Sequence, residues 1–478
     1  MNTRLSDLLA ALPQDEAESE VLASEEAQER LQAIFADLAH RPVPTGSLHR
    51  LWSLGELSTQ VTLAYMALWF RRLFADAPAR ERYAMETNLR VALKMIHRLG
   101  YLRGAATKLG QALGNLPEIL PDQVVSTLDT LHFHAPPMHF SLLREVVRTE
   151  LGKDPFEIFA TFDKEPFAAA SIGQVHRATL KSGECVVVKI QYPGIARAVE
   201  ADLRNFMALM FPMRLTPLWQ SVKGQCEAIQ QMLPRELDYV QEAQNTREAA
   251  ALFAPSDGIV VPRVFDDYSS ARVLTTEFIP GPHLPEFLKA NPAQSIRNAY
   301  GEKMAMAWYR LCFAYQSHAD PHSGNYVFMD DGRLGLLDFG CVQHFSADER
   351  AQFVRTDQFV DDPSVLPELL LHGGFATAAD LKNEDYLKLI GDLWAWTVAP
   401  QRRNGVFDFG DETHFKRGIV LTRDAALKRY TTAAPMYLYL SRSIFGSGAL
   451  MLRLRARFNV RQIHQRELEI RLRREARS

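Results

Sequence analysis

The chain changes its hydrophobic repeat twice, and the order of those changes limits the folds open to it. From about 28 to 135 the apolar residues follow a helical spacing, most regularly between 85 and 114, until Pro117 and Pro121 break the run. His134-Ala135-Pro136-Pro137 reads as an extended linker, and 140–151 as a short helix stopped by Gly152. After Thr161 the period shortens. Residues 167–170, 175–180 and 185–191 read as strands, the last two joined by a turn at Ser182-Gly183. Helical stretches are expected around 197–210 and 220–252, then strands over 260–265 and 272–278, then a rigid connector containing Pro280, Gly281 and Pro282. Asn291-Pro292 offers a capping side chain followed by proline at the first helical position, which predicts a helix start. Strands at 326–329 and 334–337 flank Asp330-Asp331-Gly332, a strong hairpin signal. From 347 to 478 the pattern is mostly helical. The expectation is an α+β chain, helical first, strand-rich in the middle and helical again.

Composition excludes several classes. With 54 basic and 57 acidic residues the formal charge is −3, so nothing selects a nucleic-acid partner. Cys185, Cys226, Cys312 and Cys341 lie far apart, which excludes a disulfide scaffold and a four-thiolate zinc site and suits a reducing cytoplasm. The start of the chain lacks the basic-then-apolar layout of a signal peptide. The apolar run 61–70 is too short to span a bilayer, which takes about 20 residues. The charge is uneven: residues 1–30 carry eight acids, and 453–478 carry nine arginines against three glutamates. Such a basic tail reads as a solvated helix, with contact to anionic lipid as the alternative, so any membrane association is expected to be peripheral.

Three segments carry chemistry because they occur together and in order. Val186-Val187-Val188-Lys189 ends a strand in a lysine; His318-Ala319-Asp320-Pro321-His322-Ser323-Gly324-Asn325 holds a D-x-x-x-x-N; Leu337-Asp338-Phe339-Gly340 follows the hairpin. Phosphoryl transfer asks a protein for a cation on the phosphates, oxygen ligands for Mg²⁺ and a group that orients the nucleophile. Lys189 supplies the first, and the other two segments supply the rest. Each piece is weak alone, and a single D-F-G arises by chance in many chains. A metal reading of His318, Asp320 and His322 meets Pro321, which opposes a continuous helix, and no H-E-x-x-H is present. A glycine-rich phosphate loop is missing; Ala168-Ala169-Ala170-Ser171-Ile172-Gly173-Gln174 stands in its place, and alanine dislikes the positive φ that glycine accepts.

With these segments in hand, the sequence resembles the UbiB/AarF-type atypical kinases over roughly 85–345. Lys108-Leu109-Gly110-Gln111 is similar to that family's K-x-G-Q motif, and Glu236-Leu237-Asp238, followed by Glu242 and Asn245, to its E-x-D motif. The resemblance implies a bilobal protein-kinase-like fold. Its parts would be an N-terminal helical extension (1–135) carrying K-x-G-Q, a small lobe (136–280), and a large lobe with a mostly helical C-terminal extension (281–478). It implies ATP and Mg²⁺ as cofactors. Lys189 would contact the phosphates with Glu242 as its partner, and Ala168, Ala169, Ala170 and Ser171 would cover the nucleotide. Asp320 would take the catalytic-base position, and Asn325 and Asp338 would hold Mg²⁺. Thr276 would be the gatekeeper, with Glu277 to Ile279 presenting backbone to adenine. Lys108 and Gln111 would regulate the site near Glu236 and Asp238. Glu200 is nearer to Lys189 in sequence than Glu242, but the family pattern favours Glu242. Ser323 replaces a proline usual in the family. The implied activity is ATP hydrolysis or small-molecule phosphorylation supporting isoprenoid-lipid or ubiquinone metabolism, with a quinone-pathway molecule or lipid as partner. A catalytically weak ATP-binding scaffold is the alternative. A protein kinase is disfavoured, because no A-P-E follows Asp338 and Phe345-Ser346 lead straight into a helix.

Overall fold

The computed structural model describes residues 138–476 apart from 171, most of 211–232, 429 and 431–434. The N-terminal extension, with Lys108, Gln111, the run 61–70 and the acidic arm, lies outside the described residues; so do Ser171 and the side chain of Ala169. The chain forms two compact units, one holding the residues up to Lys181 with Val188–Leu237, the other Ser182–Val187 with everything from Asp238 on.

In the first unit α1 (Phe140–Leu151) buries Leu143, Val146 and Val147. It stops at Gly152, whose φ of 76° costs glycine nothing. The strands β1 (Thr161–Phe162), β2 (Ala168–Ala170), β3 (Gly173–Thr179) and β4 (Cys185–Gln191) fall within two residues of the expected ones, β1 being additional. β3 pairs antiparallel with β1 on one stretch and with β2 on another, Ala168 facing Val175 and Ala170 facing Gly173. Along β4 Val186, Val188 and Ile190 are buried, while Val187 and Lys189 on the other face are half-buried, and only at the end, with buried Gln191, does the alternation stop. α2 (Ile195–Met210) follows and buries Val199 and Leu203.

The second unit starts where the expected helix 220–252 divides. Helical backbone at 233–236 ends in a turn at Leu237, and Asp238 opens α3 (Tyr239–Ala250) by accepting the Gln241 N–H at 2.9 Å. A capping carboxylate satisfies a donor that would otherwise be orphaned, so aspartate starts a helix more readily than it continues one. β5 (Ile259–Val260) is shorter than the expected 260–265, since Pro262 brings no N–H to a ladder; Val264 makes only an isolated bridge to Thr276 in β6 (Val273–Glu277). α4 (Leu284–Lys289) and α5 (Gln294–Phe313) follow. Asn291 does not open α5. It sits between the two helices at φ 46°, a conformation asparagine tolerates, and its side chain accepts from Arg297. β7 (Gln316–His318) pairs antiparallel with β10 (Val342–His344). Between them β8 (Tyr326–Phe328) and β9 (Leu334–Leu336) form the expected hairpin, with Gly332 at φ 84° and β5 parallel along its outer edge.

Helices then dominate as anticipated: α6 (Ala347–Gln358), α7 (Leu366–His372), α8 (Glu384–Thr397), α9 (Glu412–Leu427), α10 (Pro435–Leu454) and α11 (Val460–Glu475), with a small pair of β11 (Phe407–Asp408) and β12 (Arg457–Phe458). Tyr300, Met304, Leu311 and Phe313 of α5 sit in one core with Phe345, Phe353, Trp394 and Leu450. The arginine-rich tail is not simply solvated. Arg310 of α5, 5% exposed, meets Glu467 of α11, 1% exposed, at 3.0 Å and Asp257 at 2.9 Å, while Leu472, Arg473 and Arg474 stay exposed. No described helix is long and apolar enough to cross a membrane.

Candidate functional site

In the first unit, the alanine-rich hairpin closes with Ala170 paired to Gly173. Ile172 is buried, and its carbonyl accepts the Tyr192 N–H at 3.0 Å. A Cβ on Gly173 would stand 2.2 Å from the Ile190 carbonyl oxygen, backbone against backbone. The loop's glycine is therefore spent where the hairpin crosses β4, one residue past Lys189. Below it lies a polar pair that sequence reasoning missed, Gln174 and His176, both almost fully buried. Gln174 Oε1 accepts the Met138 N–H, and His176 Nδ1 donates to the Asp163 carbonyl at 2.9 Å. That leaves His176 Nε2 to accept from Gln174 Nε2 at 3.3 Å, and burial holds the imidazole pKa below its ordinary value. Two polar residues on the inward positions of a strand were the available signal. Glu236 is 8% exposed, and the neighbouring Leu237 carbonyl accepts from Gln191 Nε2 at 2.6 Å.

In the second unit three hydrogen bonds clamp the two remaining motifs together, and a fourth braces the first of them internally. His318 Nε2 donates to the Asp338 carbonyl at 2.6 Å, and the Ala319 N–H donates to the Cys341 carbonyl at 2.9 Å. The Leu337 N–H donates to the Asn325 carbonyl at 3.0 Å, and Asn325 Nδ2 donates to the Asp320 carbonyl at 2.9 Å. Pro321 keeps the segment a loop that ends in one tight turn at Ser323–Asn325. His322 Nδ1 accepts the Gly324 N–H, with Nε2 3.9 Å from Asp320 Oδ2. His318 is thus engaged on backbone, and among the described residues no three His, Cys, Asp or Glu side chains converge as a metal cluster.

Asp338 Oδ1 accepts the Gly340 N–H at 2.9 Å. A Cβ on Gly340 would lie 3.1 Å from Glu242 Oε2 and 3.2 Å from Asp338 Oδ1, so the two carboxylates meet at this glycine. Glu242 is 3% exposed, whereas Glu200 is exposed beside Arg204. One turn along α3, buried Asn245 donates through Nδ2 to the Phe339 carbonyl at 2.9 Å. Its Oδ1 accepts from Gln241 at 2.9 Å and from His344 at 3.0 Å. At the end of β6, Thr275 is buried and Thr276 half-buried. Ile279 packs on Val327 and Met329. The N–H groups of Glu277 and Phe278 are committed to the carbonyls of Arg263 and Cys185.

A family model described as the ABC1 atypical kinase-like domain matches residues 130–358. AarF domain-containing kinase 1 of Drosophila melanogaster is 31% identical over 271 residues, 55% of this chain and 52% of that protein. The mitochondrial atypical kinase COQ8B of Danio rerio is 27% identical over 437 residues, 88% of this chain and 68% of that protein. The mitochondrial atypical kinase COQ8 of Schizosaccharomyces pombe is 32% identical over 307 residues, 63% and 50%. The chain thus spans about half the length of the fly and fission-yeast relatives.

Proposed function

Because this chain belongs to the UbiB/AarF family of atypical kinases, we propose that it binds Mg²⁺-ATP and spends it by hydrolysis or by phosphorylating a small molecule, in support of isoprenoid-lipid or ubiquinone metabolism. The observation that carries this reading is the clamp between the two motifs, which holds Asn325 next to the strand leading into Asp338 while Glu242 reaches the same glycine as Asp338.

The donor set fits the cofactor. Mg²⁺ prefers hard oxygens and takes only one or two carboxylates, leaving phosphate and water to complete its shell. Asp338 and Asn325 offer a carboxylate and an amide oxygen, and their backbones are fixed by hydrogen bonds rather than left to be ordered on binding. The bound nucleotide and ion would supply the transferable phosphoryl group and most of its charge neutralisation. For this chain's own residues, the reading gives Lys189 the phosphates and Glu242 the partnering of that lysine. The hairpin Ala168–Ala170 with Ser171 would cover the nucleotide, and Glu277 to Ile279 would face adenine. Asp320 would orient the attacking group, with His322 steadying its loop. Lys108 and Gln111 would act on the site through Glu236 and Asp238, although Asp238 already has a structural task as the α3 cap.

The test is Mg²⁺-dependent ATP binding and hydrolysis, with and without phenolic quinone-like compounds or lipid. Asp338→Asn should weaken Mg²⁺-dependent binding by about tenfold or more, because a neutral amide holds a divalent ion poorly. Equal affinity in wild type and variant would overturn the site. Binding with no turnover under any condition would replace the enzyme reading by the scaffold one.

A further inference from the structure

We propose that α10 is a positioning element for the Asp320–Asn325 loop, with Gly446 as the residue that admits the loop against the helix. The proposal rests on the reading of that loop as functional, but its central observation is steric. A Cβ on Gly446 would stand 2.6 Å from Pro321 Cγ and 2.9 Å from the Pro321 carbonyl oxygen. Pro321 is the residue between Asp320 and His322, its ring fixes φ, and its carbonyl belongs to the loop backbone. Neither atom can swing aside as the end of a flexible side chain would.

The contact is held on both sides. Trp308 Nε1 of α5 donates to Ser443 Oγ at 2.8 Å, and Ser443, one turn before Gly446, is fully buried. Ser443 and Ser447 of α10 line one small cavity with Pro321, Asn325 and His318; at about 20 Å³ it admits nothing larger than a water molecule. α10 therefore closes the back of the loop at van der Waals distance.

A glycine inside a helix gives up roughly 1 kcal/mol relative to alanine. α10 carries glycine at 446 and again at 448, and the two differ in what they meet. At Gly448 a Cβ would touch only the edge of the Phe415 ring, at 3.3 Å, which a side chain can relieve. At Gly446 the obstacle is the loop itself. A helix more than a hundred residues downstream, bearing none of the motif residues, thus sets where Asp320 and Asn325 stand.

The experiment compares Gly446→Ala with Gly448→Ala in the full chain. The readouts are hydrogen exchange across 319–325 and the Mg²⁺ concentration that half-saturates nucleotide binding. In Gly446→Ala the loop amides should exchange about tenfold faster or more, and the half-saturating Mg²⁺ should rise several-fold, because Asn325 moves with the loop. Exchange in the hairpin of β8 and β9 should stay within about twofold in both variants. Gly448→Ala should leave all readouts within that range. A folded Gly446→Ala with unchanged loop exchange, or the same change in Gly448→Ala, overturns the proposal. If Gly446→Ala fails to fold, Ser443→Ala, which removes the Trp308 hydrogen bond without adding volume, must speed loop exchange, and no effect there overturns it too. Should wild type bind no Mg²⁺-nucleotide at all, the proposed function falls, while the exchange comparison still decides the role of Gly446.

Discussion

Asn245 offers the sharpest test of how the Asp338 segment is held. Its side chain makes three hydrogen bonds in a 2% exposed position, and they are not equal. In Asn245→Ala, Gln241 and the half-exposed His344 can turn to water at little cost. The Phe339 carbonyl loses its side-chain donor inside the fold, and such a loss costs about 1–3 kcal/mol. With the small void left by the amide, the expected destabilisation is about 2 kcal/mol. Asn245→Asp keeps the shape but places a carboxylate oxygen against that carbonyl, one turn from Glu242. Burial and repulsion raise its folded-state pKa above the unfolded value of about 3.9. A group with a raised folded pKa stabilises the fold below its unfolded pKa and loses that contribution as pH rises through the folded one. The gap between Asn245→Asp and wild type should therefore be largest near pH 7.5. It should narrow toward pH 5 by up to about 1.4 kcal/mol per pH unit, as the protonated acid donates to Phe339 in the amide's place. The His344 Nε2–H, 3.0 Å from Oδ1, opposes this by donating to the anion, but it is shared with Glu248 at 3.8 Å. The assay is guanidinium unfolding of the three proteins at pH 7.5, 6.0 and 5.0; comparing variants at each pH cancels the background titrations. A cost below about 0.5 kcal/mol for Asn245→Ala, or a pH-independent gap for Asn245→Asp, would refute the reasoning.

Gly173→Ala should destabilise the first unit by about 1–3 kcal/mol and weaken nucleotide binding, since the new methyl and the Ile190 carbonyl are both attached to backbone. Unchanged unfolding midpoint and affinity would show that the hairpin does not bear on β4. For His176 the depressed pKa means that the unfolded chain takes up the proton first. Stability from this residue is complete above about pH 6.5 and declines as pH falls below it, by up to about 1.4 kcal/mol per pH unit. His176→Gln should lose that part of the slope; parallel pH–stability lines would count against a buried neutral imidazole.

The parts of this fold that could be read from sequence are those fixed by local chemistry. Gly152 ends a helix because its backbone turns left-handed there, and Asp330-Asp331-Gly332 makes a hairpin because Gly332 takes positive φ. The strand boundaries around Lys189 came from its run of branched residues and the turn at Ser182-Gly183. What misled were residues with two local uses. Asn291 can cap a helix or sit at positive φ, and the choice is made by where α4 and α5 must pack. Asp238 can lie within a helical run or restart one, and the turn at Leu237 decides. Gln174 and His176 showed only as polar residues on inward strand positions, without their partners Met138 and Asp163; Gly446 was illegible because no spacing rule announces Pro321 as its neighbour. Of the candidate site, His318 and Asn245, which fasten the backbone of Asp338 and Phe339, lie in or beside the short motifs, while Gly446, which meets Pro321, lies in none of them.

The chain also contains its own control for how much a motif can say. Asp408-Phe409-Gly410 repeats the tripeptide of Asp338-Phe339-Gly340, and the local backbone responds in the same way, Asp408 Oδ1 accepting the Gly410 N–H at 2.8 Å. There the likeness ends. Asp408 is paired with Arg457 at 2.9 Å on the surface, and Phe409 is only partly buried, stacked on Phe458. Phe339 is fully buried, and the carbonyls of Asp338 and Phe339 are taken by His318 and Asn245, which come from β7 and α3. An Asx turn is what three residues can encode by themselves. Holding an aspartate at a fixed place beside Asn325 and Glu242 takes donors from two other elements, and only the first of the two tripeptides has them. The informative unit is therefore the tripeptide together with the histidine and asparagine that fasten its backbone.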